Sequence, residues 1–172
     1  MTDRRRAGLR PRVHEFWNLV YDIDGQGFCR ESDGWRHHGG TTVYMHCVRT
    51  AWCVYRLGTW LHVRALRSCV RAAMVHDMFG YDWQGRRAPR GLSGPRHAIW
   101  HGAAAVRNMT GKVVLDDNQR DAIRKHMFPL YPIPPAHVEG WLLTLADKIT
   151  ATEECLMYVA RRTISPLAVR MR

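Results

Sequence analysis

The chain has 172 residues, 46% hydrophobic and 24% charged, and its 26 Lys and Arg outnumber 15 Asp and Glu for a formal charge of +11. That composition fits one folded domain with a substantial core and excludes a disordered or collagen-like chain. No apolar run approaches the roughly 18 to 20 residues that span a bilayer, no secretory leader is visible and the five cysteines form no CxxC pair, so a cytoplasmic protein without a disulfide framework or zinc ribbon is expected. The basic balance favours anionic partners.

Arg4, Arg5, Arg6, Arg10 and Arg12 crowd the start and Arg161, Arg162, Arg170 and Arg172 the end. They predict a disordered basic arm over 1–13 and a frayed, solvated basic tail over 163–172, flanking a single domain over 14–162. Phe16, Trp17, Val20 and Tyr21 recur at helical spacing and predict a first amphipathic helix, which Gly25, Gly27, Asp33 and Gly34 end. Trp35 to Thr42 reads as a loop, with Thr41 or Thr42 as the cap of the next helix. Apolar residues at Val43, Cys47, Val48, Ala51, Val54, Tyr55 and Leu57 predict that helix over 43–60, with His46 just off its buried stripe. A third helix is expected over 63–78, its last turn holding His76 and Asp77 before Gly80.

Gln84 to Pro95 is a loop of Gly, Arg and Pro without apolar periodicity. A helix over 96–109 carries His97 and His101 at i,i+4, on one face. Asp116 and Asp117 suit the start of another, which runs to His126 and Met127. Pro129, Pro132, Pro134 and Pro135 force an extended crossover to a last helix over 138–162. Leu142, Leu145, Ala146, Ile149, Glu153, Leu156 and Val159 are expected on its inner face, with Asp147 near its middle. No strand-like alternation of useful length occurs, so the expected fold is all-α. Cys47, Cys53 and Cys69 read as small core residues, and the seven tryptophans as core and rim rather than stacking platforms for nucleic acid.

His46, the tandem His76 and Asp77, His101, His126 and Asp147 then fall on five different helices. One histidine on a helix is ordinarily a satisfied core or surface residue; an ordered set is different. Imidazole nitrogen with carboxylate oxygen and no thiolate suits Zn, Fe, Mn, Co or Ni rather than a structural zinc site. Four histidines and two aspartates exceed what one open ion needs, whereas two divalent transition ions bridged by a carboxylate would use them all. Asp77 is placed to bridge.

The order H…HD…H…H…D resembles that of the HD-domain superfamily of metal-dependent phosphohydrolases. The flanks Gly39-Gly40-Thr41-Thr42-Val43-Tyr44-Met45-His46, His76-Asp77-Met78-Phe79-Gly80-Tyr81-Asp82-Trp83 and Lys125-His126-Met127-Phe128-Pro129-Leu130 are similar to a small single-domain bacterial branch of it. The resemblance covers about residues 14 to 160 and implies an HD-domain helical bundle around a buried metal site. It implies that His46, His76, Asp77 and Asp147 hold a first ion and that Asp77, His101 and His126 hold a second. The chain lacks the Lys that other branches carry shortly after His-Asp.

The reaction expected of such a site is attack of an activated water on phosphorus, in a phosphomonoester or phosphodiester of a nucleotide or related small anion. Asp82 and Lys125 are candidates for orienting water or protonating the leaving oxygen, and His38 and His97 for hydrogen bonds to ligand carboxylates or substrate. Arg86, Arg87, Arg90 and Arg96 can clamp a substrate phosphate or be a solvated charged loop. Two other readings use the same residues: a dinuclear-iron oxygenase, and a ligand-sensing or RNA-binding module that keeps metal for stability.

Overall fold

A computed structural model describes residues 3–37, 40–83 and 95–170, with the side chains of 12–27, 29–37, 40–83 and 96–163. Six α-helices follow one another: α1 Asp3–Asp24, α2 Val43–Trp60, α3 Leu66–Val75, α4 Pro95–Met109, α5 Asp117–Lys125 and α6 Val138–Arg170, with a 3₁₀ helix Phe28–Gly34 between α1 and α2. Among the described residues there is no strand, only a single bridge between Arg36 and Thr42 that pinches the loop ahead of α2. No described helix is long and apolar enough to cross a membrane.

α2 has the expected bounds because its start is chemically marked: the Thr42 hydroxyl accepts from the Met45 amide at 3.2 Å. Such a cap is worth about 1 kcal/mol. α5 opens on a capping box, with Asp116 accepting from the Gln119 amide at 2.7 Å and Gln119 returning the bond to the Asp116 amide at 3.0 Å. The arm and tail expected to be disordered are instead helical, as the first turns of α1 and the last turns of α6; Arg, which recurs in both segments, is a good helix former.

The core packs α2 against α3 and α6, and α5 against α4 and α6. Phe16, Val20 and Ile23 bring α1 onto it, whereas Tyr21, expected inward, is 76% exposed. Cys29, Cys47 and Cys69 are free and buried, Cys53 is half-buried and Cys155 exposed. Gly102 lets α4 lie directly on α5, since a Cβ there would collide with the Ile123 carbonyl.

α6 departs most from expectation. Its buried stripe is Glu139, Leu142, Leu143, Ala146, Asp147, Thr150 and Glu154, while Leu145, Ile149, Leu156 and Val159 are exposed and so is Glu153. The helix is apolar on two faces, and the one turned inward is the one whose carboxylates find buried partners. The proline segment before it is a chain of turns and bends rather than an extended crossover.

Candidate metal centre

The end of α3 organises the site. The helix stops at Val75, one turn earlier than expected, so His76, still in helical conformation, and Asp77 lie in the turn beyond it. Gly80, at φ 82°, completes the reversal in a conformation costly for any other residue.

His46 on α2, His76, His101 on α4 and His126 at the end of α5 are all buried, His46 completely rather than just off the stripe. Each ring is held by Nδ1 from outside the cluster. His76 Nδ1 stands 2.8 Å from the Ala73 carbonyl, His101 Nδ1 2.9 Å from that of His97 and His126 Nδ1 2.7 Å from that of Ile123. His46 Nδ1 is 2.9 Å from the Glu154 carboxylate. A carbonyl can only accept, so in His76, His101 and His126 Nδ1 carries a proton and Nε2 is the nitrogen turned to the cluster.

Those four Nε2 atoms converge on two carboxylates. Asp77 Oδ1 lies 3.1 Å from His101 and 3.6 Å from His126, and Oδ2 lies 3.6 Å from His76 and 3.7 Å from His46. Asp147 Oδ1 is 3.1 Å from His46 and 3.6 Å from His76. His101 and His126 face each other, Nε2 to Nε2, at 2.9 Å, and His76 Nε2 makes no hydrogen bond. Buried lone pairs aimed at one another are costly unless a proton or a cation sits between them.

Among the described residues, three groups have ligand atoms close enough to hold an ion: His46, His76 and Asp147; His76, Asp77 and His126; and His37, His46 and Asp77. The buried His and Asp set can therefore hold metal.

The electrostatics divide along the same lines. Burial disfavours both carboxylates as anions, yet the surrounding imidazoles hold Asp77 and Asp147 well below the usual carboxylate range. Burial also opposes charge on His46, but Asp147 and Glu154 outweigh it and raise the ring to about 9; His76 is likewise raised, chiefly by Asp77. His126 goes the other way, to about 3, because burial and the neighbouring His101 and His76 all disfavour its charge.

Three participants lie outside the sequence reading. His37 is buried with Nε2 3.1 Å from Asp77 Oδ2, so the residue before the expected His38 is the one seen at the cluster. Glu154 fixes His46, and Lys148 sets its Nζ 3.0 Å from Asp147 Oδ2 and 3.3 Å from the His126 carbonyl. Of these, Glu154 had a signal, since it lies two turns from Asp147 on one face of α6.

Of the remaining candidates, His97 touches the cluster. His97 stacks on His101 at 4.9 Å and on Trp83 at 4.6 Å, its Nδ1 3.0 Å from the Tyr81 hydroxyl, so it backs His101 with both ring and carbonyl. Asp82 is half-buried in the turn after α3, and Lys125 is paired with Asp121 one helical turn away. Arg96 is exposed in the first turn of α4; His38, Arg86, Arg87 and Arg90 lie outside the described residues.

No protein-family model matches the chain, and neither a curated protein nor a solved structure matches it.

Proposed function

We propose that this protein is a metal-dependent phosphohydrolase of the HD type, acting on a phosphomonoester or phosphodiester of a nucleotide or a similar small anion. One observation carries the reading: His76, His101 and His126, each tethered by Nδ1 to a backbone carbonyl, join His46 in aiming Nε2 at ionised Asp77 and Asp147. Tethering the far nitrogen fixes the ring and its tautomer, as a ligand histidine requires. The all-α bundle and the order of the six residues along it agree with the resemblance to that superfamily.

When bound, two divalent cations would lower the pKa of a shared water and stabilise charge developing on phosphoryl oxygens. Asp77, with one oxygen toward His101 and the other toward His76, is the natural bridge. His46, His76 and Asp147 would complete one position and His101 and His126 the other. Lys148 is the ammonium set against Asp147, suited to protonating a leaving oxygen, with Asp82 orienting water. Arg86, Arg87, Arg90 and Arg96, with the overall +11 charge, would draw the anionic substrate in.

The test is elemental analysis of protein purified without chelator or affinity tag, followed by a panel of phosphoesters. The expected outcome is bound transition metal, hydrolysis abolished by chelation, and recovery on adding a divalent ion. Hydrolysis by metal-free protein would refute the proposal. The all nitrogen and oxygen donor set equally suits iron, so turnover that requires O₂ and stops under anaerobic conditions would replace hydrolysis with oxygenation.

A further inference from the structure

A cavity of about 850 Å³ opens between α1, the second half of α2 and the middle of α6. Its size lies within the range of small-ligand sites. Its walls are chiefly apolar, with Val48, Trp52, Leu57, Trp60 and Ile149, and its charge is one-sided: Arg12, Arg49 and Arg56 line it against one carboxylate, Glu153. Trp60 is 74% exposed at the end of α2, an unusual place to leave an indole in solvent.

This cavity is separate from the metal centre. Glu154 stands between them, one oxygen on His46 Nδ1 at 2.9 Å and the other 3.6 Å from Arg49 Nε. The cavity is lined by Arg49, Thr150 and Glu153 rather than by the metal-facing histidines, so an occupant lies away from the Nε2 atoms. Arg49 is also 3.7 Å from Glu153, and both separations exceed a hydrogen bond, so its guanidinium still has donors for an incoming anion.

We propose that the cavity binds a single-chain amphiphilic anion, with a carboxylate or phosphate head on the arginines and an aliphatic tail along Trp52, Leu57 and Ile149. A simple inorganic anion would leave the apolar walls wet, and a neutral hydrocarbon would make no use of the excess positive charge that Arg12 and Arg56 add to the rim. An amphiphilic anion satisfies both. The proposal stands independently of the reaction at the metal centre.

Isothermal titration of the full chain with dodecanoate, dodecyl phosphate, dodecanol and anionic phospholipid vesicles tests it. Saturable one-to-one binding of the single-chain anions is expected, the tighter head identifying the natural one, with dodecanol at least about tenfold weaker, the equivalent of one charge-assisted hydrogen bond. Replacing Arg12 and Arg56 together by Gln should weaken the anions about tenfold and leave dodecanol unchanged, and Ile149→Asp should weaken all three. Should the variants misfold by far-UV circular dichroism, a salt titration of the unaltered protein is the second measure: added salt should weaken dodecanoate and spare dodecanol. Equal binding of anion and alcohol, non-saturable detergent-like uptake, or binding to vesicles alone would each overturn the proposal, the last by making this face a membrane-binding surface.

Discussion

The two halves of the metal centre solve the same problem differently. On the His46 side, two imidazoles meet carboxylates: His46 lies between Asp147 at 3.1 Å and Glu154 at 2.9 Å, and a proton can satisfy the group. On the His101 side, two imidazoles meet each other at 2.9 Å, with Asp77 Oδ1 shared between them at 3.1 and 3.6 Å. The first half is self-sufficient when protonated, whereas the second has two ring nitrogens for one anionic oxygen. The second half is therefore the one whose packing most depends on a cation, and the first is the one that must give up protons to take one.

Asp77 is common to both, so changing it should erase the difference. If the centre holds the proposed pair of ions, Asp77→Asn is expected to reduce bound metal to below about a tenth and turnover by about a thousandfold, since it removes the carboxylate charge that both would share. Elemental analysis with steady-state assay checks it; retention of both metal equivalents would break the idea of a shared bridge. Glu154→Ala should act on the first half alone. Removing one partner of a buried pair costs about 3–5 kcal/mol, and denaturant unfolding of the metal-stripped variant should show a loss of that order, with Glu154→Gln milder.

Gly102→Ala should act on the second half. A Cβ there meets the Ile123 carbonyl, whose oxygen also tethers His126, so α4 and α5 must move apart. Overpacking of this kind costs about 1–3 kcal/mol. If each half holds one ion, metal content should fall from two equivalents to one while the His46 half keeps its own; loss of both would show that the halves bind only together.

The uneven legibility of these halves in the sequence has a physical cause. His46, His76, Asp77, His101, His126 and Asp147 could be picked out because residue type and order along successive helices suffice to mark such a set, without knowing which face each helix buries. The loop ahead of α2 has no period, so nothing distinguished His37 from His38. In α6 the period itself misled: Leu145, Ile149, Leu156 and Val159 form a plausible inner face, and only burial energetics, with Asp147 and Glu154 paired to His46, turn the other face in. Lys148 rather than Lys125 meets the cluster because Lys125 has Asp121 within its own helix.

The smallest effect is also the one that separates the halves most directly, because their protons run in opposite directions in the metal-stripped protein. His46 is raised from 6.5 to about 9, so the stability it contributes is fully present below pH 6.5 and is lost as pH rises through 9. His126 is lowered to about 3: the unfolded chain takes up its proton near pH 6.5 while the folded one resists, so its contribution is present above 6.5 and fades as pH falls toward 3. Unfolding free energy measured against pH should therefore peak near 6.5, with Glu154→Gln flattening the alkaline limb and His126→Gln the acid limb. Metal reverses the alkaline limb, since a ligand must shed its proton, and uptake at pH 7 to 8 should release protons detectable as a buffer-dependent heat. A single pH limb that both variants alter equally would mean that the centre titrates as one unit, and the contrast between its halves would be lost.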